Sequence, residues 1–272
     1  MEHNQIIGFV LAVLVGITLG LLGSGGSILT VPIMVYVVGL NPVLAAAYSL
    51  FVVGTSALIG GFKKMKEKLI NFKMVCFFGI PAIVTVFLTR KFVVPSIPEI
   101  VFESNNFLIN KSFALMILFA VVMIAASFTM IKPRREKGLI ENNPIKHNYF
   151  LILILGFSIG FLAGLVGAGG GFLIIPALVL LTKMPMKKAV GTSLFIVALQ
   201  SLIGFLGDFG SGALINWSFL LSFTAFAVCG IFIGDFLSKK IDGNKLKVGF
   251  GWFVLFMGIY IIGKEVLKNL KL

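Results

Sequence analysis

The sequence predicts an all-α, polytopic membrane protein built as an inverted-topology repeat. Three observations carry that prediction: an apolar composition, a duplication at fixed offset, and the placement of the basic loops. Of the 272 residues, 58% are apolar and only 12% are charged, and the mean hydropathy is +1.08. Soluble domains carry about a quarter charged residues, so a water-soluble fold of this length would lack the side chains to cover its surface. Apolar runs of about 18 residues recur from end to end, the length that crosses a bilayer core as helix. The net charge of +13 sits in short loops between these runs. That is the positive-inside pattern and not a face for nucleic acid; the bilayer is the expected partner.

The first apolar run, from Ile6, has no preceding Lys or Arg and no small-residue cleavage site, so it is read as part of the mature chain. Cys76 and Cys229 stand alone inside apolar segments and are expected to be packing residues.

The duplication opens each half. "GLLGSGGSILTVP" at 20–32 is answered by "GLVGAGGGFLIIP" at 164–176, and an ungapped alignment of 20–62 with 164–206 gives 16 identities. Apolar composition does not place three glycines, a proline and the Ser49/Ser193 pair in one register, so the chain is a duplication offset by 144 residues. Each half begins with a long apolar stretch, 6–40 and 147–182, too long for one crossing and read as two helical pieces broken at the glycines. Spans follow at 43–62, 74–90 and 112–131, then at 189–206, 217–237 and 248–263. The count is eight spans if each broken stretch counts once and ten if it counts twice. The domains are therefore 1–131 (first repeat), 132–146 (basic cytoplasmic linker) and 147–272 (second repeat).

Orientation follows from the basic residues. Segments 63–73, 132–146, 183–188 and 239–247 hold 17 of the 23 Lys and Arg, which places them in the cytoplasm. The remaining six lie in 90–111 and the C-terminal tail. Span 43–62 then runs inward and its equivalent 189–206 outward, so the halves are inverted and both termini lie outside. Inverted repeats are the architecture of secondary transporters.

The helix breaks point to a ligand. Irregular backbone at membrane depth survives only when buried in protein or lining a wet cavity. A helix restarting there aims free N–H groups and its positive dipole end into the gap, an anion site. Ser24-Gly25-Gly26-Ser27 and Ala168-Gly169-Gly170-Gly171 each supply such a start, and the inverted repeat would face them together near the midplane. Small residues also let membrane helices pack closely; two matched clusters, each six residues ahead of a proline, favour the cradle. Ser24, Ser27 and Thr30 add hydroxyls on the first side only. Ser49, Ser193 and Gln200 are candidate side-chain ligands, and each alone reads equally well as interhelical hydrogen-bond glue. Gly170→Val is expected to abolish transport without preventing insertion.

No ionisable residue is expected mid-span, and Asp235 is expected to pair with Lys239. There is no phosphate-binding loop, catalytic triad or metal cluster, and His3 and His147 read as solvated. No enzyme activity, catalytic residue, metal or cofactor is expected.

The paired Gly-rich motifs, each followed by a small-residue span ending "SLF", resemble the TauE/SafE family of sulfite exporter-like permeases over nearly the whole chain. The resemblance implies a transporter of sulfite, organic sulfonates or related organosulfur anions in the cytoplasmic membrane. Ser27 departs from the pattern where the second motif has Gly171, which leaves the oxyanion open. The expectation is a secondary transporter of a small anion; the alternative is an anion channel using the same paired helix starts without alternating access. Direction, coupling ion and a homo-oligomeric state stay open.

Overall fold

The structure, a computed structural model, describes residues 2–104, 107–131, 149–182, 184–208, 215–238 and 243–270. The linker 132–146, His147 and Lys239 lie outside the described residues. Helix α1 (Glu2–Leu22) is followed by a return leg made of a 3-10 helix (Gly23–Leu29), a short α segment (Thr30–Pro32) and a π turn (Ile33–Val37). Then come α2 (Pro42–Lys66), α3 (Phe72–Ser96) and α4 (Lys111–Ile131). The second half holds α5 (Tyr149–Val166), α6 (Gly171–Thr182), α7 (Met186–Gly207), α8 (Trp217–Ser238) and α9 (Gly243–Leu270). Among the described residues, eight segments are long and apolar enough to cross a membrane.

Local sequence explains the helix starts. Asn41 Oδ1 accepts the Val43 amide at 2.9 Å just ahead of Pro42, whose missing N–H costs nothing at that position. Lys63, Lys64 and Lys66 close α2 at its negative dipole end. In α3 a π turn over Val75–Gly79 immediately precedes Pro81, and a second over Thr89–Val93 precedes Pro95. Each absorbs the backbone bond that a ring nitrogen cannot donate. Helix α3 also runs past the expected end at residue 90. Among the described residues, the one sheet is an antiparallel hairpin of β1 (Ile100–Ser104) and β2 (Phe107–Asn110). It follows Pro98 and joins two short runs rich in β-branched and aromatic residues, Ile100-Val101-Phe102 and Phe107-Leu108-Ile109.

The first stretch does not cross as one rod. An added side chain at Gly26 would meet Leu19 and Thr18, and one at Gly8 would meet Val38 at 3.2 Å. The chain therefore doubles back at Gly23, as two helical pieces. The halves then interlock: α1 packs on α8 and α5 on α3, each first helix against the third helix of the other half. Helix α2 pairs with its own equivalent α7, and α4 with α9. This is the contact pattern of a two-fold pseudosymmetry.

Glycine sets how closely these partners approach. Gly160 of α5 leaves 2.6 Å between a hypothetical methyl and the Ala82 carbonyl of α3, and its equivalent Gly16 leaves 2.8 Å to Gly230 Cα of α8. No apolar driving force separates lipid from helix surface, so such contacts hold the bundle together. Gly160→Ala is expected to cost about 1–3 kcal/mol through overpacking against backbone that cannot move, read as a lowered unfolding temperature in detergent.

The helix ends that border the Lys-bearing segments come to one face. Lys64 reaches Asp235, the Asn71 amide donates to Thr192 Oγ at 3.0 Å, and Gly251 near the start of α9 lies on Met130 at the end of α4. Residues 38–42, the hairpin and the end of α9 gather at the other face, where Tyr36 Oη donates to Glu265 at 2.8 Å. Large apolar side chains such as Phe128, Phe150 and Phe256 cover the flanks, a surface suited to lipid. Cys76 and Cys229 are exposed on it. They do not pack inside as expected, because periodicity alone does not say which side of an all-apolar helix faces lipid.

Candidate functional site

The two chain reversals are built by equivalent residues. Gly23 and Gly167 sit at φ of +68° and +75°, a left-handed conformation that glycine adopts without a Cβ clash. Beyond them the two breaks differ. After Gly23 the chain resumes at once as 3-10 helix through the buried Ser24, Gly25, Gly26 and Ser27. After Gly167 it needs two more left-handed glycines, Gly169 at +67° and Gly170 at +63°, before α6 starts at Gly171. The Leu173 and Ile174 amides then donate to Gly170 O at 2.9 and 3.2 Å.

The breaks touch each other. Ser24 Oγ donates to Gly171 O at 3.1 Å, and Gly25 faces Ile175 of the opposite leg. The Gln200 amide nitrogen donates to Gly169 O. A Cβ on Gly169 would meet Ser201 Oγ at 2.7 Å, Val53 at 3.2 Å and Val197 at 3.3 Å. Val53 and Val197 are repeat equivalents on the central pair α2 and α7, so the second break is clasped between the matched helices.

That helix pair has a definite register. Gly54 lies against Leu202, Gly61 against Phe195, and the Phe51 and Phe205 rings are 5.1 Å apart. The pairing is antiparallel, and it sets Ser56 level with Gln200, its own repeat equivalent. Ser56 is three residues from Val53 and shares its helix face. Ser49 and Ser193 fall seven residues to opposite sides of that level, about 10 Å each way at 1.5 Å per residue. One break region therefore gathers Ser24, Gly25, Gly169, Gly170, Gly171 and Gln200, with Ser27 one 3-10 turn beyond Ser24 and Ser49 and Ser193 displaced toward opposite faces. Gly26 presses on α1 at Thr18 Oγ, 2.7 Å from where its side chain would begin. Sequence reasoning passed over Ser56 and Ser201, although "SALIG" at 56–60 aligned with "QSLIG" at 200–204 carried them.

The hydroxyls separate into two groups. Most helical Ser and Thr fold back onto a carbonyl of their own helix: Thr85 onto Pro81, Thr182 onto Leu178, Ser193 onto Val190 and Thr224 onto Leu220, all within 2.9 Å. Ser27, Thr30, Ser49, Ser56 and Ser201 do not; each is fully buried and its oxygen has no partner among the described residues. Gln200 Oε1 joins them. A buried polar atom without a partner costs about 1–3 kcal/mol, so a set of six is costly unless something completes it.

Two ion pairs flank this region, one toward each face. Arg90, 1% exposed, grips Asp208 with Nε and Nη2 at 2.8–3.0 Å. Arg90 also donates to Gly164 O and Val43 O at 3.4 Å. At the other face Asp235 of α8 is held by Lys63 and by Lys64, the latter at 2.7 Å; the expected partner Lys239 lies outside the described residues. Lys64 and Asp208 are repeat equivalents, so the two pairs mirror one another with charges exchanged. Burial pushes the Asp208 carboxyl above the usual carboxylate range, and the Arg90 guanidinium opposes that push. Sequence reasoning put Arg90 in a loop because it lies near a span end; the longer α3 carries it inside.

A cavity of about 650 Å³ opens on the face away from the Lys-rich segments, lined by Tyr36, Asn41, Ser112, Lys264, Glu265 and Lys268 among others. Lys264 Nζ stands 4.3 Å over the Tyr36 ring. None of the central hydroxyls lines it.

Interlocked inverted halves, broken helices and a buried polar centre define a membrane transport protein. Residues 8–261 match the family described as "Sulfite exporter TauE/SafE", and the chain belongs to that family. A "Probable membrane transporter protein" of Xylella fastidiosa is 30% identical over 260 residues, 93% of this chain and 92% of the relative. The "Probable membrane transporter protein YunE" of Bacillus subtilis is 26% identical, covering 94% of this chain and 98% of its own length. A probable membrane transporter protein of Methanocaldococcus jannaschii is also 26% identical, over 96% of this chain. No solved structure matches.

Proposed function

We propose that the protein is a secondary transporter of a small anion, sulfite or an organic sulfonate, which it carries across the cytoplasmic membrane by alternating access. The observation that carries this reading is the buried hydroxyls of Ser27, Ser56 and Ser201, which decline their own helix carbonyls near where the two breaks meet. Hydroxyl rotors and first-turn N–H groups are all donors, the chemistry an oxyanion needs. The site proposed is Ser24, Gly25, Gly26, Ser27, Gly169, Gly170, Gly171 and Gln200 with Ser56 and Ser201. Ser49 and Ser193 act toward the two mouths. The Lys-rich face is proposed as cytoplasmic, with both termini outside, and the Lys-lined cavity as the outer approach for anions. Buried site residues between two mirrored ion pairs favour a carrier, occluded here, over a channel.

The test is labelled sulfite in proteoliposomes of the purified protein. Saturable flux accelerated by unlabelled sulfite on the opposite side, and inhibited by related anions, is expected. Flux that grows linearly with gradient and shows no such exchange would return the channel, and no flux of any anion would sink both.

A further inference from the structure

The amide of Gln200 is oriented by a carbonyl. Its nitrogen donates to Gly169 O, and turning the amide over would set two acceptors against each other, so Oε1 is fixed on the remaining side. That oxygen is fully buried and has no partner among the described residues. It is an acceptor only. An anion presenting bare oxygens to it would be repelled, whereas the unpartnered hydroxyls of Ser27, Ser56 and Ser201 can each donate to an oxyanion oxygen.

We infer that the transported species is a singly protonated oxyanion, hydrogen sulfite in the case of sulfite, whose own O–H donates to Gln200 Oε1. The inference rests on the anion-transporter reading and deepens it. Charge argues the same way. The desolvation cost of an ion grows with the square of its charge, and the site offers dipoles and hydroxyls, with no ionised side chain among its described residues. A proton on the substrate halves the charge and supplies the missing donor in one step.

The titratable groups on the elements around Gln200 all lie toward helix ends. Helix α2 has Tyr48 at one end and Lys63, Lys64 and Lys66 at the other; α3 has Lys73 and Cys76, then Arg90 and Lys91. Helix α7 has Lys187 and Lys188 at its start and Asp208 just past its end, while the first return leg contributes Tyr36 at its far end, and α6 contributes none. The pH response of the central site therefore belongs to the substrate.

Initial rates of labelled sulfite flux are measured at fixed total sulfite, from one pH unit below to two above the second pKa of sulfurous acid, with equal pH on both sides. The wild type is expected to follow the monoanion, falling about tenfold per unit above that pKa. Sulfate, a dianion throughout, is expected to compete poorly at every pH. Gln200→Leu keeps every end group and removes the acceptor, so its flux is expected to fall and its slope to become shallower, leaving only the part that charge imposes. Should Gln200→Leu not fold, Gln200→Asn withdraws the acceptor by one methylene and is expected to flatten the slope, and the wild-type profile stands as a measurement by itself. Flux that tracks the dianion, ignores the pKa, or keeps its slope in the Gln200 variants overturns the inference and leaves the transporter intact. A sodium requirement that disappears with Gln200 overturns it too, making Oε1 a cation ligand. Absence of any anion flux at any pH removes the underlying reading and the inference with it.

Discussion

Replacing Gly171 by alanine is expected to collapse the folded population, whereas the same change at Gly25 leaves folding intact and slows transport at least tenfold. A methyl at Gly171 would be driven into Ser24, with the Ser24 carbonyl carbon only 2.7 Å away. The obstacle is backbone of the opposing break, which cannot swing aside as a side chain would. Overpacking costs about 1–3 kcal/mol where some relaxation is possible; here the contact between the halves must separate, and the loss falls at or above the upper figure. At Gly25 the added methyl meets Leu22 at 3.7 Å and Ile175 at 3.9 Å, ordinary contact distances. Alanine also favours helix by about 1 kcal/mol over glycine. A slowed but well-folded Gly25→Ala protein, seen by flux and by thermal unfolding in detergent, assigns that glycine to ligand approach. Full flux in the same variant would return the first motif to packing. Gly170→Val is the less informative choice that the sequence suggests: Gly170 has φ +63°, and its side chain would start 2.8 Å from Ala163. Loss of activity there would report damaged packing as readily as a blocked site.

The duplication made much of the fold legible. Once Gly20 is aligned with Gly164, the matched breaks and the antiparallel relation of the halves follow from sequence and charge. The interlocking of α1 with α8 and α5 with α3 does not, because it depends on helix faces that are apolar all round and carry no direction. Gly16, Gly20, Gly160 and Gly164 mark those faces, and their meaning appears only when the backbone opposite each is known. At the site, glycine positions were readable because φ above zero and close approach leave few alternatives. Hydroxyls were not. Ser193 and Ser201 look alike in sequence; one satisfies itself on Val190 O and the other has no partner, a difference of rotamer and neighbour. Arg90 was hidden for another reason, since its partner lies 118 residues away in sequence, beyond any local pairing rule.

Asp208→Asn is expected to cost about 3–5 kcal/mol, the penalty for stranding a buried charge. Arg90 is 1% exposed, and with the carboxylate replaced by an amide it keeps one Oδ1 acceptor, meets an NH2 donor where the second oxygen stood, and otherwise has the Gly164 and Val43 carbonyls at 3.4 Å, too few acceptors and no counter-charge for a guanidinium with five N–H groups. Apparent unfolding temperature in detergent measures the loss. The mirrored change, Asp235→Asn, is expected to cost about 1 kcal/mol, because Lys63 is 41% exposed on its side chain and can hydrate its ammonium group. An equal cost at the two ends would refute the asymmetry. The double replacement Arg90→Met with Asp208→Leu removes both charges together and is expected to recover most of the stability. That variant then separates two roles. If the pair only welds α3 to the end of α7, transport returns along with stability. If it opens once per cycle to admit substrate from that face, an apolar contact lacks the hydrated open state that separated charges enjoy, and flux stays low in a protein that is stably folded. A Lys64→Asp, Asp235→Lys exchange, made together with Lys63→Ala so that no second cation faces the new ammonium group, provides the counterpart at the opposite face: it keeps an ion pair with reversed polarity, and flux that survives there shows that the pairing, not the sign of either charge, closes that side.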